Sequence, residues 1–265
     1  MAPRNRRAYV LVLPSMFTTG NLFCGFFSIV RSFNHDFERA AYAILIAGIF
    51  DILDGRVARI TKSQSNFGME YDSIADVVSF GIAPALLAYV WALQGFGRVG
   101  WAAAFFFAAC GALRLARFNT IAHESPKSYF IGLPIPAAAN AVAAAVIFNL
   151  DQRFEYPEAM MLVMMFALGL LMVSSIRYRS FKDFDLRHKR SFFYLVMLVG
   201  VIAVAVVRPE AALFLIFGYY VCWGPIRELA VLIKRLVDKK KVKGDTLTLA
   251  YETGKSSDED PGSSI

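Results

Sequence analysis

The sequence predicts an all-α fold: a polytopic transmembrane bundle of about eight helices, with N- and C-termini cytoplasmic. Three observations predict it. Of the 265 residues, 57% are hydrophobic and 18% charged, with a mean hydropathy of +0.49, whereas a soluble domain carries more charge and less apolar content. The apolar residues gather into successive runs separated by polar connections. When the two termini and the even-to-odd connections are assigned to one side, Lys and Arg divide 23 to 5 in favour of that side, as the positive-inside rule requires. One helix more or fewer would scramble that division.

Residues 1–8 form a short basic cytoplasmic start with Arg4, Arg6 and Arg7. The first helix runs from Tyr9 to Val30. Pro14, Thr18, Thr19 and Asn21 interrupt its apolar stretch and no small-residue cleavage site follows, so it reads as a retained span rather than a signal peptide. The second runs from Ala40 to about Ile60. Its purely apolar part, Ala40 to Phe50, covers about 16 Å at 1.5 Å per residue, roughly half the hydrocarbon thickness. The acidic residues that follow therefore begin near mid-membrane and climb to the cytoplasmic surface. A third helix, Met69 to Leu93, is expected to kink at Pro84, and a fourth covers Val99 to Ala116. A polar segment, Arg117 to Gly132, leads to a fifth helix over Leu133 to Leu150, with Pro134 and Pro136 near its start. Tyr156 to Ile176, Phe192 to Val207 and Ala211 to Leu236 complete the eight. The transmembrane body is thus 9–236. In the tail, 237–265, the run Lys239 to Lys241 suits anionic headgroups, and the Ser-, Gly- and acid-rich stretch from Lys243 to Ile265 is expected to be disordered. There is no internal repeat and no soluble domain.

Several function classes are excluded by what these residues lack. Cys24, Cys110 and Cys222 lie in separate apolar runs without metal-ligand spacing, which implies packing rather than a disulfide framework. His35, His123 and His188 sit in separate connections and form no ligand cluster. The net charge of +7 follows the topology and does not mark a nucleic-acid surface.

The chemistry concentrates between Asp51 and Asp76. Asp51, Asp54, Gly55 and Ala58 are spaced by three or four and share one helix face. Gly68, Asp72 and Asp76 do the same on the next helix. A bend near Ser65 brings Asp51 level with Asp76 and Asp54 near Asp72, so that four carboxylates converge. Such a cluster in an apolar pocket repels itself and calls for neutralising cations. An Asp-only set suits Mg²⁺ or Mn²⁺ better than Zn²⁺, and two such ions roughly 3.5 to 4 Å apart clamp a phosphoryl displacement. Gly55 and Ala58 permit close approach of a bulky ligand, and Arg59 offers a cation for a phosphate. The plainer alternative is a set of helix-end acids balanced by Arg56, Arg59 and Lys62; carboxylates inside a membrane are costly and rarely idle.

The spacing D-x2-D-G-x2-A-R-x8-G-x3-D-x3-D resembles the signature of the CDP-alcohol phosphatidyltransferases, integral membrane enzymes of phospholipid synthesis. Asp51, Asp54, Gly55, Ala58, Arg59, Gly68, Asp72 and Asp76 fill every fixed position. The resemblance implies that Asp51 and Asp72 touch both of two divalent ions, Asp54 completes the first site and Asp76 the second. It further implies a CDP-diacylglycerol site including Thr18, Gly55, Ala58, Arg59, Ser65 and Gly68, a catalytic base at Asp76, a homodimer, and a place in the cytoplasmic membrane of a prokaryote.

Other segments narrow the resemblance. F-T-x-x-N-L-x-C-G in the first helix, R-L-A-R-F-N, G-L-P-I-P and S-x-I-R-Y-x-S-F-K are similar to segments of the integral-membrane phosphatidylserine synthases, from about Pro14 to Lys182. Many other members of the wider family begin P-N-x-x-T with an Arg soon after; here Ser15 stands in place of that Asn. Lack of that Arg favours an unphosphorylated acceptor such as L-serine, although Arg114, Arg117 and Arg177 could still supply charge. A zwitterionic acceptor needs a cation for its carboxylate and an acceptor for its ammonium, and Asn21, Arg114, Arg117, Asn119, Arg177 and Tyr178 form the candidate pool. Each has a plainer role open to it, in helix contacts, helix-end electrostatics or topology. Glycerol phosphate, inositol phosphate or choline remain alternative acceptors, and a cation- or proton-coupled transporter is the alternative of another class.

Overall fold

The computed structural model describes residues 4–61, 65–122, 129–152, 156–179, 199–200, 206–228 and 230. The chain divides into two compact units, Met1–Cys222 and Trp223–Ile265. In the second unit the described residues, 223–228 and 230, are helical.

In the first unit, α1 (Arg4–Phe33) and α2 (Phe37–Thr61) form a hairpin. The turn is set by His35, at φ 57°, and by Asp36. The Asp36 carboxylate accepts from the Arg39 backbone N–H at 3.4 Å and pairs with Arg31 and Arg39 at 3.5 and 3.2 Å. This satisfies one of the first-turn N–H groups of α2 that lack a helical partner.

Ser65 begins the next span by accepting the Gly68 N–H on its hydroxyl at 3.0 Å. The helix α3 (Asn66–Asp76) then runs without a break through a π-helical turn (Val77–Ile82), α4 (Ala83–Ala88), a second π-helical turn (Tyr89–Leu93) and a 3₁₀ turn (Gln94–Phe96). The expected kink at Pro84 is taken up by this widening. The Ala83 N–H bonds the Val78 carbonyl, five residues back, so the backbone accommodates the donor that proline lacks.

The chain continues as α5 (Arg98–Ala122), β1 (Tyr129–Ile131), α6 (Ile135–Gln152), α7 (Pro157–Val173) and β2 (Arg177–Arg179), and residues 209–222 are again helical. Two points differ from the sequence expectation. The fourth helix continues six residues beyond Ala116, to Ala122, because Arg117 and Asn119 find partners on neighbouring helices rather than in water. And β1 pairs antiparallel with β2, Phe130 opposite Tyr178, tying the two connections that follow α5 and α7. Gly132, at φ 80°, lets the chain leave this ladder against the Met172 carbonyl, which would lie 2.2 Å from a Cβ there. The expected seventh helix, Phe192 to Val207, lies almost wholly outside the described residues.

At the centre is α6. Ala138, Ala139 and the run from Ala141 to Ile147 are at most 5% exposed, and such small side chains allow close helix approach. The outer surface is apolar instead: Phe23, Phe26, Phe105, Leu113, Val163 and Leu170 are each at least 60% exposed, which suits hydrocarbon as the solvent. Phe67–Phe96 and Arg98–Thr120 are long and apolar enough to cross a membrane.

The closest approach of α1 to the π-helical turn is at Gly25, where a Cβ would lie 2.6 Å from the Ser79 Cα. Gly25→Ala should destabilise the folded protein by about 1–3 kcal/mol through overpacking, read as a lowered thermal midpoint in detergent. Gly95→Ala, where nothing lies within 4 Å of the added methyl, should stay within about 0.5 kcal/mol. Equal midpoints for the two variants would contradict the packing described.

Candidate active site

The α2 and α3 helices bring acidic side chains to one place, in line with the shared faces read from the spacing. Carboxylate oxygens of Asp51 on α2 and of Asp72 and Asp76 on α3 lie within 4.8 Å of one another. Three of the four expected carboxylates therefore converge. The fourth, Asp54, lies near enough for its charge to act on Asp72, but its Oδ2 accepts a hydrogen bond from the Thr18 hydroxyl of α1. Asp54 and Asp76 are each only 7% exposed.

An all-oxygen, anionic donor set of this kind fits a hard divalent cation. Like charges this close in a largely dry setting repel strongly. Arg114, on α5, approaches without pairing. It is 7% exposed, and its charge acts on Asp76 and Asp51.

The α1 helix supplies a layer of polar groups behind the carboxylates. Thr18, Asn21, Gly25, Ser28 and Ser32 are spaced by three or four, so they form one stripe, and all are buried. The Asn21 Nδ2 donates to Asp76 Oδ1 at 3.0 Å, and the Ser79 hydroxyl donates to the Asn21 carbonyl at 2.9 Å. Ser79 belongs to the π-helical turn that starts just after Asp76. The turn is thereby latched to α1, and Asp76 is held at its carboxylate by the same helix. Two buried polar atoms here, Asn21 Oδ1 and Arg114 Nε, have no hydrogen-bond partner among the described residues. Leaving such an atom unsatisfied costs about 1–3 kcal/mol.

The remaining candidates fall in different places. Ser65 caps α3, and Gly68 lies against it, since a Cβ there would be 3.1 Å from the Ser65 hydroxyl oxygen. Gly55 is half-buried on α2. Arg117 donates to the Val173 carbonyl at 3.3 Å, where a cation at the C-terminus of α7 also meets the negative end of the helix dipole. Asn119 Nδ2 donates to the Ser73 hydroxyl at 2.8 Å, joining α5 to the helix that carries Asp72. Tyr178 is 1% exposed, and its hydroxyl donates to the Val221 carbonyl at 3.3 Å. The side chains of Ala58, Arg59 and Arg177 lie outside the described residues.

Sequence reasoning gave Gly25 only as the last position of the first-helix pattern, and it did not single out Ser79 or Tyr220. The first two had a readable signal, because Gly25 continues the Thr18–Asn21 stripe and Ser79 follows Asp76 by three. Tyr220 had none. It stands far along the chain from the motif, yet its ring lies 5.8 Å from that of Tyr178 and its hydroxyl faces the Arg114 charge.

Comparison with known proteins agrees with this geometry. The family model for CDP-alcohol phosphatidyltransferase matches residues 11–175, which include the whole acidic motif. The chain is 40% identical over 234 residues to the CDP-diacylglycerol–serine O-phosphatidyltransferase of Helicobacter pylori, covering 87% of this chain and 96% of that one. It is 32% identical over 231 residues to the protein of the same name in Mycobacterium leprae, covering 84% and 77%. It is also 36% identical over 170 residues to the archaetidylserine synthase of Methanothermobacter thermautotrophicus, covering 63% and 70%. With the family match and three of its motif aspartates gathered in one cluster, the chain belongs to the CDP-alcohol phosphatidyltransferase family.

Proposed function

We propose that this protein is a CDP-diacylglycerol–serine O-phosphatidyltransferase, moving the phosphatidyl group to the hydroxyl of L-serine with release of CMP. The convergence of Asp51, Asp72 and Asp76 in a chain whose relatives bear that name carries the reading. The body, 9–236, would cross the membrane eight times as a homodimer, with both ends and the mouth of the site cytoplasmic. The 23 to 5 division of basic residues and the apolar outer surface support this arrangement.

Asp51 and Asp72 would be shared by two divalent cations, Mg²⁺ or Mn²⁺, with Asp54 completing one site and Asp76 the other. When bound, such ions neutralise the carboxylates and polarise the diphosphate of CDP-diacylglycerol. The protein's own contributions are then orientation and proton transfer. Thr18 fixes Asp54, and the Asn21 amide pins one oxygen of Asp76, which sets the plane of that carboxylate. Gly55, Ala58, Arg59, Ser65 and Gly68 would line the nucleotide side. A serine hydroxyl is a weak nucleophile at neutral pH, so a positioned base is needed, and Asp76 is assigned that role. As the serine oxygen bonds to the phosphorus carrying the lipid, its proton passes to Asp76. The bond from that phosphorus to the CMP oxygen breaks.

Purified protein given CDP-diacylglycerol and one acceptor at a time should release CMP with L-serine and not with glycerol phosphate, inositol phosphate or choline. Turnover of glycerol phosphate without turnover of serine would end the serine assignment. Replacing the base, Asp76→Asn, should lower turnover by at least about 100-fold while CDP-diacylglycerol binding stays measurable; full activity in that variant would remove Asp76 from the role.

A further inference from the structure

Two residues that act on Asp76, Asn21 by a hydrogen bond and Arg114 by its charge, each carry a buried polar atom, and the two atoms are of opposite hydrogen-bonding character. One is Asn21 Oδ1, on a residue with no exposed surface; the other is Arg114 Nε, on a side chain 7% exposed. The orientation of the Asn21 amide is fixed by chemistry, because an ionised carboxylate only accepts, so the end that meets Asp76 at 3.0 Å is the NH₂. The oxygen is therefore an acceptor in search of a donor. Arg114 Nε is a donor in search of an acceptor, and the guanidinium is permanently charged. Its Asp76 neighbour does not satisfy it, since among the described residues Arg114 closes no ion pair.

Aromatic rings lie beside Arg114. The Arg114 guanidinium lies 5.6 Å from the centre of the Phe118 ring, and Tyr220, packed on Tyr178, faces the same charge. A ligand that met both atoms would have to offer a hydrogen-bond donor to one and an anion to the other, while presenting a hydroxyl to Asp76.

We infer that Asn21 and Arg114 read the two charges of a zwitterionic hydroxy amino acid: Asn21 Oδ1 takes the ammonium, and Arg114 Nε the carboxylate. This rests on the serine-transferase reading and adds to it which residue recognises which group. Asn21 then has a double part, orienting Asp76 through its nitrogen and the acceptor through its oxygen. The hydroxyl is delivered to Asp76 by the same residue that fixes the base. A site built to bond a substrate's polar groups rejects analogues lacking them, because its own buried atoms are left unpaired.

The test compares L-serine with ethanolamine, which lacks the carboxylate, and 3-hydroxypropionate, which lacks the ammonium, in wild type, Arg114→Met and Asn21→Leu. CMP release gives kcat/KM for each acceptor, and an analogue that is not turned over is measured by its Ki against serine. Arg114→Met should shrink the preference for serine over ethanolamine by about 10- to 100-fold, the loss expected for a hydrogen bond to a charged group. Asn21→Leu should shrink the preference for serine over 3-hydroxypropionate by a similar factor. Each preference is a ratio within one protein preparation, so poor folding or a misplaced Asp76 cancels from it. If both variants keep wild-type preferences, Arg114 and Asn21 serve the carboxylate cluster alone and the inference is overturned. If wild type releases no CMP with L-serine, it is the transferase reading that fails.

Discussion

Mutual repulsion among aspartates gathered inside an apolar helical bundle is the constraint on which the rest of this structure depends. Asp51, Asp72 and Asp76 bring carboxylate oxygens within 4.8 Å of one another, with Asp54 close by. Nothing in apolar packing favours such a cluster, and its charges cost more to hold in hydrocarbon than in water. The fold answers two of the acids with hydrogen-bond donors. Thr18 and Asn21 of α1 each bond one of the acids, and Arg114 approaches from α5 without pairing. An all-carboxylate cluster of this kind suits hard divalent cations.

The same requirement explains features remote from the acids. The helix that carries Asp72 and Asp76 widens into a π-helical turn directly after Asp76, and Ser79 in that turn is bonded to the Asn21 carbonyl. Gly25 permits the approach, since any side chain there would collide with Ser79. Asn119 holds the Asp72 segment from the other side through Ser73. Asp76 is therefore positioned by a frame of helical segments rather than by one rotamer, which suits the base role proposed for it, since a small displacement of a base costs much of the rate.

The acidic site was legible to a large degree. Spacings of three and four put Asp51 and Asp54 on one face and Asp72 and Asp76 on another, and the helix bend at Ser65 then had one simple outcome. The helical class and most helix positions could also be read, because apolar runs and Lys and Arg placement respond directly to the bilayer. Other features could not. Arg114 lies within the helix as expected, but tertiary packing buries a residue expected at the cytoplasmic surface, leaving it 7% exposed near the acids. Arg117, three residues further along α5, instead meets the Val173 carbonyl. Tyr220 is brought to Arg114 by tertiary packing alone. The β1–β2 ladder is three residues long on each side, too short for a periodic signal, and is set by where α5 and α7 deliver their ends.

Anomalous diffraction from crystals of the full chain grown with Mn²⁺ tests the central claim most directly. The account predicts two anomalous peaks among Asp51, Asp54, Asp72 and Asp76, roughly 3.5 to 4 Å apart, both lost in Asp72→Asn. A structure at the same Mn²⁺ concentration with no peak among those acids, or with its peaks elsewhere, would contradict it.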